Sequence, residues 1–413
     1  MPTSGQSDPW RSYLRWFFVT TLASVLLAGA FNVIVDPLDI FGTPRLRGFN
    51  LVKPHLDHHR ELTRWRQAQR QCPTAVILGN SRAEIGFDPE HPAFAQRGLN
   101  AVNQAVPGTD AVTAYRQLRW LQSIACMPKL VVLGVEFFDF LGNAPPRDLA
   151  TLAATPPPGL DAAVLAEVVF SLTSLGDAMA TVALQHASYP ATLTERGFNP
   201  LRNYLAEVAK SGHQALFRQR AVENAKMWAR KPRQIHPAGA AQSEDAQAVQ
   251  AILGMAQASG SQVHLVIYPY HAQMRLMMAQ MGLSELFNDW KRDLVLIAGQ
   301  AAARPGARSG AVSVWDFSGL SPYTQEPIPA AADRLTALQY FWEAGHFKKA
   351  LGDQVLSTLL GAPTGLGMRL DAQNLPAWLA QDQASMQRLL SEPSALRDFT
   401  QEVLRHAGVV TPR

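Results

Sequence analysis

Two short stretches, far apart in the chain, carry the residue types that acyl transfer needs. Gly79-Asn80-Ser81-Arg82 directly follows the apolar run Ala75 to Leu78, and Glu343-Ala-Gly-His346 stands near the C-terminus. A serine hydroxyl becomes a nucleophile when an imidazole takes its proton, and the imidazole needs a carboxylate to hold its tautomer. At the carboxyl end of a core strand, a serine entering a helix also has backbone amides beside it that can receive an oxyanion. Glu343 and His346 have two residues between them and can face each other on one turn. Ser81 is therefore the candidate nucleophile, His346 the candidate general base and Glu343 its orienting carboxylate. Taken singly, each stretch has a plainer use: Ser81 could cap a helix, and a Glu and His at this spacing are common on solvated helices.

The elements that must position these residues can be read from periodicity. Strands are expected at Ala75 to Leu78, Ala101 to Gln104, Leu130 to Val135, Val263 to Tyr268 and Val312 to Asp316, and helices at Asp110 to Ser123, Ala246 to Ser259 and Leu283 to Ala302. Near-continuous apolar strands alternating with helices describe a parallel sheet covered on both faces. The expected fold is α/β, a three-layer α/β/α sandwich around a five-stranded parallel, flavodoxin-like sheet. This domain spans 75–362 and is interrupted at about 142–241 by a helical insertion, which serves either as a lid or substrate platform or as a buttress to the sheet. A C-terminal helical extension at 363–413 could cap the domain or meet a partner.

Upstream, Trp16 to Val35 is an uncharged, largely apolar run of the length that crosses a bilayer as a helix. Arg11 and Arg15 precede it, and Trp10, Tyr13 and Trp16 suit interfacial anchoring. The alternative is a cleaved secretory peptide ending near Ala28-Gly-Ala30, but the apolar stretch continues beyond that site to Val35. The expected order is a cytoplasmic tail at 1–15, a transmembrane anchor at 16–35 and a connector with a polar helix at 36–74. The catalytic domain then lies in the periplasm of a bacterial inner-membrane, single-pass protein. The two cysteines, Cys72 and Cys126, each sit a few residues before a predicted strand. If those strands are neighbours the thiols are close enough for a disulfide, which fits an oxidising compartment; otherwise both are buried free thiols.

In the order strand-serine, then terminal carboxylate-histidine, the two motifs resemble the SGNH/GDSL hydrolase superfamily over roughly 75–361, the insertion excepted. The first block of that superfamily usually reads Gly-Asp-Ser, and Gly79-Asn80-Ser81 matches it with Asn for Asp. Asn103-Gln-Ala-Val-Pro-Gly108 fits the second block, which implies that the Ser81 and Gly108 amides hold the oxyanion. Glu343-x-x-His346 matches the last block with the longer carboxylate. The third block should supply an asparagine in Gly-x-Asn, where this chain has Gly134-Val135-Glu136. With the anchor, Val35-Asp36-Pro37-Leu38-Asp39-Ile40-Phe41-Gly42 and Leu133-Gly-Val-Glu136-Phe-Phe-Asp139-Phe, the chain is similar to bacterial membrane-anchored proteins of alginate O-acetylation and teichoic acid D-alanylation. The resemblance implies transfer or removal of acetyl groups on a cell-surface or exported polysaccharide, with a membrane acyl-donor protein as a further partner. The competing class is a catalytically silent glycan-binding or assembly protein that keeps the fold.

Around the serine, Arg82, Glu136, Asp139, Tyr268 and His271 are candidate substrate contacts. Arg82 could instead pair with Glu136 or Asp139, Glu136 and Asp139 could cap the next helix, and the tyrosines could simply pack. The formal charge of +4 is spread along the chain, with one basic cluster from Lys226 to Arg233 around Trp228, and no nucleic-acid partner is expected. His55 and His59 are four apart, but no glutamate stands where a zinc-protease helix would need it. No metal and no cofactor are expected.

Overall fold

The computed structural model describes residues 9–409 apart from 238, 307 and 309, so part of the expected cytoplasmic tail, residues 1–8, lies outside the described residues. The chain divides into two compact units: Met1–Gln67 with Pro158–Leu193, and Ala68–Pro157 with Thr194–Arg413. The 142–241 stretch, read from sequence as one insertion, is thereby shared between them.

In the first unit the helix Pro9–Val35 is 27 residues long, with Gly29, Asn32 and Val35 as its buried positions. At 1.5 Å per residue it measures about 40 Å, and it is long and apolar enough to cross a membrane. It ends in a tight knot. Asp36, at φ +48°, accepts the backbone N–H groups of Ile40 and Gly42 at 2.8 Å and of Phe41 and Thr43 at 3.2 Å. Buried Lys53 donates to the carbonyls of Val35 and Asp36, so the polar groups freed at the helix end are satisfied by side chains. Arg45 and Gln67 both bond Asp39, at 2.8 and 2.9 Å. The Asp36-Pro-Leu-Asp39 motif is therefore a structural clasp. The helices Ala162–Phe170 and Leu172–Ala183 complete this unit, with Val168 and Val169 in a core shared with Leu38, Ile40 and Leu62.

The second unit holds the sheet. Its strands are β1 (Ala75–Leu78), β2 (Ala101–Asn103), β3 (Leu130–Val135), β4 (Gln262–Ile267), β5 (Val312–Asp316) and β8 (Met368–Leu370), and a separate antiparallel pair is formed by β6 (Phe341–Glu343) and β7 (His346–Phe347). Every residue of β1 and β3 is buried, as apolar strands covered on both faces must be. The order is β2-β1-β3-β4-β5-β8. The first five strands are parallel, and β8 pairs antiparallel with β5 through Val314↔Leu370. The expected five-stranded sheet is thus a mixed sheet of six. Strand β8 is three residues of a long-range pairing beyond a Gly-rich turn, too short for alternation to reveal.

The sheet order reverses direction after β2. Right-handed crossovers then put the β1-to-β2 connection on one face and the next three on the other. The latter, Ala111–Ser123, Glu244–Ser259 and Ser284–Ala302, pack side by side. Ser81–Gly86 packs against Lys349–Leu359, and a Cβ on Gly352 would collide with the Gly86 carbonyl, so the two backbones touch. The C-terminal extension is built into this unit. Fully buried Lys291 bonds Asp316 at the end of β5 at 2.7 Å, and Asp382 of the Leu375–Ser391 helix meets Arg275 at 2.8 Å and Lys291 at 3.5 Å. Burial works to raise the Asp316 carboxyl, but the Lys291 charge and the bonds from Lys291, Ser318 and Trp378 pull it down to about 2. Cys72 and Cys126 form a disulfide, Cα atoms 5.1 Å apart, because Ala75 and Leu130 begin neighbouring strands in register.

Candidate active site

Ser81 stands at the first position of the short helix that follows β1. Asn80 is the N-cap: its side chain accepts the Arg82 N–H at 3.1 Å. With the cap supplied by its neighbour, the Ser81 hydroxyl is free for another partner. That partner is His346, whose Nε2 lies 2.8 Å from Ser81 Oγ. His346 Nδ1 is hydrogen-bonded to Glu343 Oε1, and the other carboxylate oxygen accepts the Gly345 N–H at 2.9 Å. The carboxylate and imidazole, expected to face each other on one turn, are brought together by the two-residue hairpin between β6 and β7. Glu343 is buried at 2% exposure, while the His346 side chain keeps 27%, so the reactive end of the chain of bonds faces solvent. Burial works to raise the Glu343 carboxyl; the charge and hydrogen bond of His346, the Gly345 N–H and the Arg82 charge outweigh it, and the group is held below its ordinary range.

Tyr268 lies beneath the serine turn. Its ring fills the space against Gly134, where a Cβ would overlap it, and its hydroxyl accepts the Asn80 N–H at 3.4 Å. Fully buried, it has its phenol pushed upward by desolvation. The loop after β2 is pinned to the same turn, since Val106 N–H donates to Gly79 O at 3.0 Å. Gly108, the candidate second oxyanion donor, is exposed at the end of that loop with φ +74°. Asn103 is spent inside, donating to the Ala83 and Phe87 carbonyls at 2.8 Å.

The expected substrate contacts divide. Arg82 is ion-paired to Glu136, donates to Gly345 O at 2.7 Å, and lies over the Tyr270 ring at 5.3 Å. Glu136 also accepts the Tyr270 hydroxyl at 3.0 Å. Arg82 thus braces the serine turn against the His346 hairpin. Tyr268 and His271, two of the candidate substrate contacts, are 0% and 1% exposed and are packed inside, the alternative that stood open for the tyrosines. His271 caps the helix Ala272–Gln280, its Nε2 lies 2.7 Å from Glu326 O, and burial pushes it down to about 4. Asp139 is partly exposed, and burial followed by the opposing charges of Arg82 and Asp110 leaves it up at about 7. Tyr270 closes the Arg82–Glu136 pair, a role that a tyrosine after a strand does not signal, since stacking and packing share the same local pattern.

From the former insertion, the helix His213–Ala229 packs on β6, and its His213 stands 3.3 Å from both Trp342 O and Leu338 N. It buttresses the hairpin. Trp228, the aromatic of the basic cluster, is buried and stacks on Phe138 at 4.0 Å.

In the other unit, His55, His58 and Asp177 place one ligand atom each within 4.8 Å of one another, and His59 turns to Glu167 at 3.4 Å. Asp177 is 119 residues from His58, so spacing could not signal this group. No family model matches the chain, and no curated protein sequence matches it.

Proposed function

We propose that this chain is a membrane-anchored serine O-acyltransferase or esterase of SGNH type that acts on acetyl esters of a cell-surface or exported polysaccharide, outside the inner membrane. The observation that carries the reading is the unbroken relay from Glu343 through His346 to Ser81. Its place at the carboxyl ends of β1 and β3, in a sheet whose five parallel strands run 2-1-3-4-5 with crossover helices on both faces, supports the superfamily resemblance.

Ser81 Oγ attacks the ester carbonyl carbon while its proton passes to His346 Nε2. Glu343, accepting Nδ1–H, stabilises the imidazolium that forms. The tetrahedral oxyanion is held by the Ser81 and Gly108 amides. Its collapse breaks the ester C–O bond, and Nε2–H protonates the departing alcohol, leaving acetyl-Ser81. A second hydroxyl then attacks with His346 again as base. A sugar hydroxyl completes transfer; water completes hydrolysis. Since Glu136 occupies the place of the third-block asparagine and is bound to Arg82 and Tyr270, the oxyanion has backbone donors alone. A missing side-chain donor of this kind slows turnover by about 10²–10³.

The test is incubation of the full chain in detergent with an activated acetyl ester, beside Ser81→Ala and His346→Ala. Release of alcohol with an acetyl adduct on Ser81, lost in both variants, is the expected outcome. Equal rates in all three proteins would refute the reading for that donor. An added oligosaccharide acceptor separates transfer from hydrolysis.

A further inference from the structure

The first unit carries a second apolar element. The helix Ala162–Phe170 and the run Leu172–His186 bend by 49° about the break between them, and together they are apolar enough to pass as a broken span or a re-entrant loop. One side of the bend is seated on the N-terminal helix. Val168 and Val169 are buried, and a Cβ on Gly29 would stand 2.6 Å from the Phe170 ring. Asn32 donates its side-chain amide to Val169 O at 2.8 Å. A helix break in hydrocarbon must have its freed backbone groups bonded within the protein, and Asn32 supplies one such bond here.

Beyond that contact the bend is bare: Leu172 is 85% exposed, the Phe170 ring keeps 50% exposure past the edge that meets Gly29, and Leu165 and Met179 are exposed along the flanks. The carboxylates of the pair turn elsewhere: Asp177 to His58 at 2.8 Å and Glu167 to His59 at 3.4 Å. Depth follows from the helix. At 1.5 Å per residue, Asn32 lies about 4.5 Å and Gly29 about 9 Å before Val35, where the anchor ends. Apolar faces that rest in a membrane interface sit about 5–10 Å below the surface. The bend is level with that zone.

We infer that the bend at Ser171 dips into the leaflet from which the anchor emerges, with Phe170 and Leu172 among the acyl chains. The inference rests on the anchor reading above. The occupant is lipid because the bend sits on an apolar helix whose own Leu26, Leu27 and Ile34, on either side of Gly29 and Asn32 in depth, are exposed. The chain then holds its membrane at two points, a deep span and a shallow loop.

The disulfide leaves no free thiol among the described residues, so single cysteines can be labelled. The full chain is placed in phosphatidylcholine–phosphatidylglycerol vesicles with an environment-sensitive nitrobenzoxadiazole label at Leu172→Cys. Val19→Cys and exposed Leu335→Cys serve as anchor and solvent references. The expected result is severalfold stronger quenching of the Leu172 label than of the Leu335 label by nitroxides on the lipid chains, with little quenching by aqueous iodide. Quenching of the Leu172 label by iodide at the Leu335 level would overturn the inference. Shielding from both quenchers with disulfide-linked dimers of unlabelled Leu172→Cys would also overturn it, in favour of a second copy. The Val19 label reports on the anchor independently, so failure of that reading is seen separately.

Discussion

Ser81 Oγ and His346 Nε2 lie 2.8 Å apart although 265 positions separate them in the chain. This contact joins the carboxyl end of β1 to a two-strand hairpin outside the main sheet. Glu343 holds the far side of the imidazole, and an orienting carboxylate of this kind is worth about 10⁴ in kcat when replaced by its amide. Glu343→Gln is therefore predicted to fold normally and lose activity on that scale, measured by acetyl ester turnover; a loss under tenfold would remove Glu343 from the relay.

Arg82 tests bracing against substrate binding. Its removal leaves buried Glu136 with Tyr270 but without a cation, and breaking a buried pair costs about 3–5 kcal/mol. Arg82→Met is predicted to lower stability in denaturant titration by that order. Unchanged stability with a raised KM for an anionic glycan would assign Arg82 to substrate.

Gly134 faces the Tyr268 ring so closely that a methyl group overlaps it. Overpacking of a rigid core costs about 1–3 kcal/mol, and here the displaced ring also supports Asn80. Gly134→Ala is predicted to lower the thermal midpoint and activity together, whereas Tyr268→Phe, which keeps the ring, loses much less of either.

The Cys72–Cys126 disulfide links residues 54 apart. Loop-closure entropy for a ring of that size gives about 4 kcal/mol. The double substitution Cys72→Ala with Cys126→Ala should lose stability near this figure in equilibrium unfolding, and no change would show that the link adds nothing to the native state.

Asp139 gives a signed pH dependence. Its carboxyl is raised from 3.8 to about 7, so between those values the folded protein keeps a proton that the unfolded chain has released. The corresponding stability is fully present below pH 3.8 and is lost as pH rises through about 7, with a slope of at most about 1.4 kcal/mol per pH unit. Asp139→Asn has no such loss. Its stability relative to wild type should increase from pH 5 to pH 8, followed by urea titration at each pH.

The serine, histidine and carboxylate were legible in the sequence because each stands beside a strong local signal: an apolar strand before Gly79, and a carboxylate within reach of His346. The five parallel strands were legible for the same reason, since strands buried on both faces are written as unbroken apolar runs. The N-terminal helix long and apolar enough to cross a membrane followed from length and composition alone.

What the chain does with Arg82, Glu136, Tyr268 and His271 was decided by the tertiary structure. A polar or aromatic residue after a strand has the same local signature whether it meets solvent or a neighbour. Burial, a property of the packed whole, turned Tyr268 and His271 into supports and Arg82 into a brace. The edge strand β8 and the Asn32–Val169 bond likewise depend on partners far away in sequence. Local chemistry and periodicity fixed which residues could react and which segments could form strands or cross a bilayer; only long-range packing decided which reactive groups meet, because hydrogen-bond partners hundreds of residues apart leave no trace in a local pattern.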